Sequence, residues 1–108
     1  MSFQYAKQRI IKDITIDDER IQVTGYIKNR VNDSHIILED KTGDINVSLK
    51  TIGDFNFKED DLINVIGDLE LQATGEKVIN ADIVQDMNTL NFEYYQKLYQ
   101  LKKELDLV

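Results

Sequence analysis

The hydrophobic period of this 108-residue chain changes once along its length, and that change limits the folds the chain can adopt. From Arg20 to Val84, apolar and polar residues alternate in short runs, which is the period of half-buried β-strands. From about Leu90 to Leu107 the period lengthens to roughly 3.5 residues, the period of a helix that pairs with other helices. This order predicts an all-β domain followed by one C-terminal helix.

Five short strands are predicted in the alternating region, over residues 20–28, 35–39, 44–49, 62–71 and 77–84. The second and third form a hairpin, because Asp40-Lys41-Thr42-Gly43 between them is a tight-turn signal. Gly25 and Gly67 stand in the middle of the first and fourth strands, where a small barrel bends its strands sharply. Five such strands fit a Greek-key β-barrel. The segment 3–16 has no single period and is expected either to pack across the bottom of the barrel or to stay partly loose.

The composition excludes several classes of function. The chain has no Cys, which rules out disulfides, thiol catalysis and Cys-ligated zinc. It has no run of about 18 apolar residues and no apolar signal core near Met1, so we expect an intracellular protein of the cytoplasm or nucleus with no membrane partner. His35 is the only His, and the alternation points it outward as a surface or groove residue rather than into a Ser/His/Asp triad. We predict no enzyme, no metal site and no cofactor.

The net charge of -7 is unevenly distributed. Residues 1–50 contain eight Lys/Arg and eight Asp/Glu, whereas residues 51–108 contain five and twelve. The first three predicted strands lie in the neutral half, so the charge does not exclude a polyanionic ligand there. Three acidic runs stand at strand edges and turns, where solvated charge is expected rather than a catalytic or metal-binding cluster. They are Asp17-Asp18-Glu19, Glu39-Asp40 and Glu59-Asp60-Asp61.

Three sequence frames resemble the OB-fold nucleic-acid-binding family. They are Val23-Thr24-Gly25-Tyr26-Ile27, Leu38-Glu39-Asp40-Lys41-Thr42-Gly43-Asp44-Ile45-Asn46-Val47 and Val65-Ile66-Gly67-Asp68-Leu69. Asp86-Met87-Asn88 then leads into an aromatic-containing helix, as in the middle (second) subunit of replication protein A and its telomere-capping relatives, to which the chain is most similar. The resemblance covers roughly residues 12–105 and implies a five-stranded Greek-key OB-fold barrel with a C-terminal α-helix.

The resemblance also implies that single-stranded DNA binds across the second and third strands. Outward polar residues supply the candidate nucleic-acid-binding set, which is Tyr26, Lys28, Arg30, His35, Asn46, Ser48, Lys50 and Lys77. The DNA-stacking aromatic residues of the family would fall near Lys50 and near Gln72, and neither of these is aromatic. Because Tyr26 is the one candidate stacking ring, we predict weak binding of single-stranded DNA by this chain alone.

The C-terminal helix carries the strongest functional signal. Spacings of four and three residues place one apolar stripe along it, formed by Tyr94, Leu98, Leu101, Leu105 and Val108. The barrel can bury one stripe, so a surplus stripe needs a partner. The candidate partner-binding residues are Phe92, Tyr94, Tyr95, Leu98, Tyr99, Leu101 and Leu105. The candidate N-caps are Asn88, Thr89 and Asn91.

These observations predict an OB-fold barrel with its N-terminal segment over residues 1–88 and an assembly helix over residues 89–108. The predicted function is that of a small subunit of a single-stranded DNA-binding complex. Its helix would bind larger OB-fold partner subunits or, in their absence, a second copy of the chain. Two alternatives stay open: an OB-fold protein–protein interaction module without nucleic-acid binding, and an RNA-binding OB domain of the tRNA-anticodon type.

Overall fold

The computed structural model describes residues 6–106, so Val108 of the predicted stripe and residues 3–5 of the N-terminal segment lie outside the described part. The elements in chain order are β1 (Lys7–Gln8), a short 3-10 helix (Ile11–Asp13), β2 (Arg20–Asn32), β3 (His35–Glu39), β4 (Asp44–Ser48), β5 (Leu62–Leu71), β6 (Lys77–Asp86) and α1 (Phe92–Glu104). The five predicted strands correspond to β2–β6, and the predicted helix corresponds to α1. The two-residue β1, which pairs parallel with β2, has no counterpart in the sequence pattern.

The five strands β2–β6 close into a barrel because β2 pairs with a neighbour on each side. It pairs antiparallel with β5, from Arg20–Asp68 to Tyr26–Leu62, and its later residues pair antiparallel with β3. β4 pairs antiparallel with β3 and parallel with β6, and β6 in turn pairs antiparallel with β5. This closed arrangement is the five-stranded Greek-key OB-fold barrel with a C-terminal helix that the sequence predicts.

Gly25 and Gly67 lie where neighbouring strands come too close for a side chain. A Cβ atom at Gly67 would stand 2.1 Å from the Asn80 carbonyl oxygen, and one at Gly25 would stand 2.7 Å from the Glu39 carbonyl oxygen. The β5–β6 register shifts between Ile66 and Gly67, so a bulge is present at that glycine. Close approach of the strands, rather than a positive φ angle, therefore explains why the barrel needs glycine at both positions.

The strand β2 continues to Asn32, whereas the polar residues after Lys28 indicate a break in the sequence. It stays paired with β3 through two register shifts, between Ile27 and Asn29 and between Arg30 and Asn32. Every residue of β2 after Ile27 is exposed. This part of the strand covers no core, so the alternation of apolar and polar residues is lost although the backbone pairing continues.

The described part of the N-terminal segment packs across the bottom of the barrel. The Arg9 N–H donates to the Gln22 carbonyl at 3.0 Å, and Ile10 and Ile14 are buried. Ile14 joins the inward residues of the strands in one hydrophobic core. The other core residues are Ile21, Val23, Ile27, Ile36, Leu38, Ile45, Val47, Leu49, Ile63, Val65, Ile79 and Ala81.

The junction between β6 and α1 is fixed by side-chain amides. Asn88 Oδ1 accepts the Leu62 N–H at 2.8 Å, and the Met87 N–H donates to the Leu62 carbonyl at 2.9 Å, so the junction holds the start of β5. Asn91 is the N-cap of α1, because its Oδ1 accepts the Tyr94 N–H at 3.0 Å. The side chain of the candidate cap Asn88 therefore binds the barrel and does not cap α1. The helix begins at Phe92, three residues after the start that an Asn88 cap would give.

Candidate nucleic-acid groove and assembly helix

A groove of about 380 Å³ lies on the outer face of β3, β4 and β6. One wall comes from the end of β2, and the other is the hairpin that joins β5 to β6. The lining residues are Val31, His35, Asn46, Ser48, Lys50, Glu70, Gln72, Thr74, Glu76, Val78 and Asn80. Hydroxyl and amide side chains make up nearly half of this lining, and it includes one lysine, the His35 imidazole and no Phe, Tyr or Trp.

Four of the predicted nucleic-acid-binding residues line this groove. His35 and Ser48 are paired across β3 and β4, and Asn46 lies two residues before Ser48 on the same face of β4. Lys50 follows the strand and is exposed. Gln72 also lines the groove, so both positions that would carry a stacking ring in the family are part of it. Those two positions offer a lysine and an amide in place of the aromatic rings.

Tyr26 and Lys28 of the predicted set lie outside the groove lining. The Tyr26 ring packs edge-on against the Phe92 ring of α1, with 5.1 Å between the ring centroids. The structure therefore places the one candidate stacking ring in the helix contact. Lys28 Nζ pairs with the Asp44 carboxylate at 2.9 Å, and this hydrogen bond raises the pKa of Lys28.

Arg30 and Lys77 are also absent from the groove lining. The Arg30 guanidinium stands over the Phe55 ring, 5.2 Å from its centroid, in a cation–π contact. Lys77 lines a second cavity of about 450 Å³, which reaches the N-terminal segment at the bottom of the barrel. Both residues are expected on the outside of the barrel, but an outward position on a closed barrel does not specify which side of it the residue faces.

The β5–β6 hairpin supplies groove residues that the sequence pattern does not predict. Glu70 Oε2 accepts from Gln72 Nε2 at 3.2 Å and from Asn80 Nδ2 at 3.4 Å. Glu76 accepts a hydrogen bond from the side chain of Asn46 on β4. The sequence pattern assigns these residues only to strand ends and a turn. Their place beside the groove depends on the parallel pairing of β4 with β6, which joins segments far apart in the chain.

One face of α1 packs on the barrel. Tyr99 is 1% exposed and Phe92 is 4% exposed. The Tyr95 ring stacks on the Phe92 ring with 6.1 Å between centroids, and Gln96 Nε2 donates to the Asp40 carbonyl at 2.5 Å. Phe92 and Tyr99 belong to the predicted partner-binding set, but their side chains are already covered by the barrel within this single chain.

Asp13, in the 3-10 helix, anchors the later turns of α1. The Tyr99 hydroxyl donates to the Asp13 carboxylate at 2.9 Å, and Lys103 Nζ lies 3.0 Å from it. Burial alone would raise the pKa of Asp13, but the hydrogen bonds from Lys103 and Tyr99 outweigh it and hold that pKa below its ordinary value. Burial and the hydrogen bond to Asp13 raise the pKa of Tyr99. The contact is therefore most favourable with a charged carboxylate and a neutral phenol.

The opposite face of α1 is apolar and exposed. Tyr94, Leu98, Leu101 and Leu105 are 64%, 38%, 51% and 60% exposed. At about 100° per residue, these four side chains fall within a sector of roughly 60° that points away from the barrel. They are the described members of the predicted stripe.

Two carboxylates of the acidic runs are buried, which corrects the expectation of solvated charge for those residues. Asp40 is 1% exposed and accepts the Ile11 N–H at 2.7 Å and the Thr42 N–H at 2.9 Å. Asp18 accepts two hydrogen bonds from the Arg9 guanidinium, both at 3.2 Å. Each carboxylate is surrounded by donors from the N-terminal segment or the adjacent turn, and these donors replace water.

Within residues 6–106, no group of three His, Cys, Asp or Glu side chains is placed to hold a metal ion. No helix in that part of the chain is long and apolar enough to span a bilayer.

The closed barrel, the groove on its side and the docked C-terminal helix define a small OB-fold protein. A chain of the S. pombe Stn1-Ten1 complex superposes on it with a TM-score of 0.79 and 14% identity, over 95% of this chain and 96% of that chain. The S. pombe telomere capping protein Ten1 superposes with a TM-score of 0.77 and 14% identity, over 93% and 99%. A chain of a replication protein A heterotrimer bound to single-stranded DNA gives 0.61 and 15%, over 83% and 75%. At these identities the likeness shows the fold.

The family follows from the sequence. The family model described as telomere-capping, CST complex subunit matches residues 10–105, which is most of the chain. The chain therefore belongs to this family. No curated protein matches the sequence. The resemblance seen in the sequence frames, to replication protein A and its telomere-capping relatives, is confirmed.

Proposed function

We propose that this chain is the small assembly subunit of a telomere-capping complex that binds single-stranded DNA. In this proposal the exposed stripe of α1, defined as Tyr94, Leu98, Leu101 and Leu105, binds a larger OB-fold subunit. Residues 89–108 act as the assembly helix, and the barrel of residues 1–88 contributes weak binding of single-stranded DNA in its groove. Membership of the telomere-capping family supports this setting and a location in the nucleus.

The observation that carries the proposal is that the barrel leaves the exposed stripe uncovered. Phe92 and Tyr99 already fill the contact with the barrel on the other side of α1. Single exposed leucines are ordinary on a protein surface, but a contiguous apolar stripe is typical of an interface. The spacings of four, three and four residues along the stripe suit a helix that packs against another helix.

Two of the structural neighbours support a role in assembly. The Stn1-Ten1 structure is a complex of two proteins, and the replication protein A structure is a heterotrimer bound to single-stranded DNA. Those properties belong to those proteins. They make a larger OB-fold subunit the first partner to test for this chain.

The groove supports weak rather than strong DNA binding. Its lining offers hydrogen-bond donors from Asn46, Ser48 and Asn80 and one positive charge from Lys50. A base stacked on an aromatic ring contributes about 1–3 kcal/mol, and the lining has no Phe, Tyr or Trp and only the smaller imidazole of His35. The DNA affinity of the complex would therefore come mainly from the larger subunit.

Two single substitutions at adjacent positions of α1 test the assembly role. We expect Leu101→Asp to weaken the complex with the larger OB-fold subunit of the same cell by about 100-fold or more, because it buries an unpaired charge in the interface. Gln100→Asp adds the same charge on the polar side of α1 and should leave the complex intact. Light scattering on co-purified proteins measures the outcome, and circular dichroism checks that both variants fold. Equal binding by the two variants would contradict the assembly role.

Titration with labelled oligonucleotides tests the DNA role. At low salt we expect the chain to bind single-stranded DNA weakly and duplex DNA more weakly still, and we expect binding to fall as salt is added. Tighter binding of RNA than of DNA would favour the RNA-binding alternative. If neither the chain nor its complex binds single strands, the interaction-module alternative replaces the DNA role.

A further inference from the structure

The groove and the second cavity are neighbours on the barrel surface, and one side-chain contact separates them. Both cavities are lined by Asn46 and Glu76, and no other residue is common to the two linings. The Asn46 side chain donates a hydrogen bond to the Glu76 carboxylate. The two cavities, of about 380 and 450 Å³, would form one continuous path along β4 if this contact opened.

The Glu76 side chain can leave this contact without disturbing the barrel. Glu76 is exposed and lies in the turn of the β5–β6 hairpin, directly before β6 begins. The backbone of the turn is closed separately, by the Gln72 N–H to the Glu76 carbonyl at 2.8 Å and the Gly75 N–H to the Gln72 carbonyl at 2.9 Å. Rotation of the Glu76 side chain therefore breaks the bond to Asn46 and keeps the turn.

The charge of Glu76 opposes the ligand that the groove is proposed to bind. The lining contains two carboxylates, Glu70 and Glu76, against one lysine, Lys50. A phosphate bound at Asn46 would lie beside the Glu76 carboxylate and would be repelled by it. The same carboxylate also takes one of the two N–H donors of the Asn46 amide, which could otherwise donate to a base or a phosphate.

We propose that Glu76 is an acidic gate across the groove, and that a single strand running along β4 must displace the Glu76 carboxylate from Asn46. This inference rests on the proposed binding of single-stranded DNA in the groove. The closed contact between Asn46 and Glu76 lowers the affinity of the isolated chain for DNA, in addition to the effect of the missing stacking rings. It also sets the length of strand that can be held, since an open gate joins the two cavities.

Three alanine variants of the full chain separate a gate from a simple effect of charge. Glu76→Ala removes the gate and its charge, Glu70→Ala removes a groove charge but leaves the Asn46–Glu76 contact, and Glu59→Ala removes an exposed charge outside the groove. Affinity for a labelled single-stranded oligonucleotide is measured by fluorescence anisotropy at low salt. We expect gains of about tenfold for Glu76→Ala and about threefold for Glu70→Ala, and no gain for Glu59→Ala.

The side-chain amide resonance of Asn46 gives a second readout, which reports on the Asn46–Glu76 contact itself. We expect saturating oligonucleotide to shift this resonance in the wild-type chain away from its position in the free protein, as the bond to Glu76 is replaced. A Glu76→Ala gain no larger than that of Glu70→Ala, or an Asn46 amide unmoved while the Ser48 and Lys50 resonances shift, would overturn the gate and leave the proposed DNA binding standing. Failure of every variant and the wild type to bind would overturn both.

Discussion

The face of α1 on the barrel and the opposite face share one spacing but differ in side-chain chemistry and in exposure. The face on the barrel carries aromatic rings with polar groups, and its hydrogen bonds reach specific atoms of the barrel and the N-terminal segment. The opposite face carries three leucines and one tyrosine at spacings of four, three and four residues, and all four side chains are exposed. Phe92, Gln96, Tyr99 and Lys103 on the barrel side follow the same spacings of four, three and four residues. One helix thus joins a contact that includes polar groups to an apolar, exposed surface.

The comparison shows that spacing alone does not separate a covered helix face from an exposed one. The face on the barrel combines aromatic rings with Gln96 and Lys103, whose hydrogen bonds to Asp40 and Asp13 fix its position. The exposed stripe has three leucines, and such a stripe fits another helix, which presents ridges and grooves at a constant interval. Side-chain chemistry therefore distinguishes the face that stabilises the fold from the uncovered face.

The largest expected effect is a difference in the free energy of unfolding between substitutions on the two faces of α1. Tyr99→Ala removes a buried ring and its hydrogen bond to Asp13, and we expect it to lower the free energy of unfolding by about 3–5 kcal/mol. Leu101→Ala, on the exposed stripe, should change that free energy by less than about 0.5 kcal/mol. Urea denaturation of the isolated chain measures both. A comparable loss in Leu101→Ala would mean that the barrel also relies on the exposed stripe.

A smaller effect concerns the Asp13 carboxylate, which binds the face of α1 that packs on the barrel. We expect Asp13→Asn to cost about 2 kcal/mol near neutral pH, because the carboxylate accepts from Tyr99 and Lys103. The folded-state pKa of Asp13 lies below its ordinary value of 3.8, so this stabilisation is present above that value and is lost as the pH falls through the lowered pKa. The difference between wild type and variant should therefore shrink below about pH 4.

Asp17→Asn is the matched control, since Asp17 is an exposed carboxylate of the neighbouring loop. We expect it to leave the unfolding free energy and its pH dependence nearly unchanged. If Asp17→Asn reproduced the acid behaviour of Asp13→Asn, general charge repulsion rather than the contact with α1 would explain it.

The smallest expected effect tests the start of the helix, which both faces share. Asn91→Ala removes the side chain that accepts the Tyr94 N–H, and we expect a loss of about 1 kcal/mol. Thr89→Ala, at an exposed position before the cap, should cost less. Thermal unfolding followed by circular dichroism distinguishes them, and an equal loss would argue against Asn91 as the cap.

The strands could be predicted because their hydrophobic period records burial, whereas the prediction of the helix rests on a stripe that this chain leaves exposed. The alternation in β3 and β4 follows which side chains meet the core, and Gly67 marks a real bulge. β2 runs past its predicted end because its last part buries nothing, so no period remains to be read. In the strands, local pattern therefore reports an element only where one face of that element is covered.

The candidate groove could be predicted only in part, because a closed barrel has several outward sides. His35, Asn46 and Ser48 share the groove, whereas Tyr26 lies under α1 and Lys77 reaches the second cavity. The side that each outward residue faces depends on pairings between distant strands. Local pattern carries no record of those pairings.

The burial of Asp40 also depends on a contact between distant parts of the chain. The sequence predicts that Asp40 belongs to a turn. In the structure it does, because its side chain accepts the Thr42 N–H. It also accepts the Ile11 N–H from the N-terminal segment, a donor 29 positions earlier in the chain. Its burial depends on that distant donor, which the sequence around Asp40 does not reveal.

The contact between Asp13 and α1 has a consequence for the synthesis of the chain. Tyr99 and Lys103 lie 86 and 90 positions after Asp13, so a ribosome has made nearly all of the barrel before either residue exists. Docking of α1 on Asp13 is therefore possible only after the barrel strands have been synthesised, and it closes a contact between distant residues, which is slow to form. The leucine surface of α1 acquires its fixed orientation on the barrel only with that step.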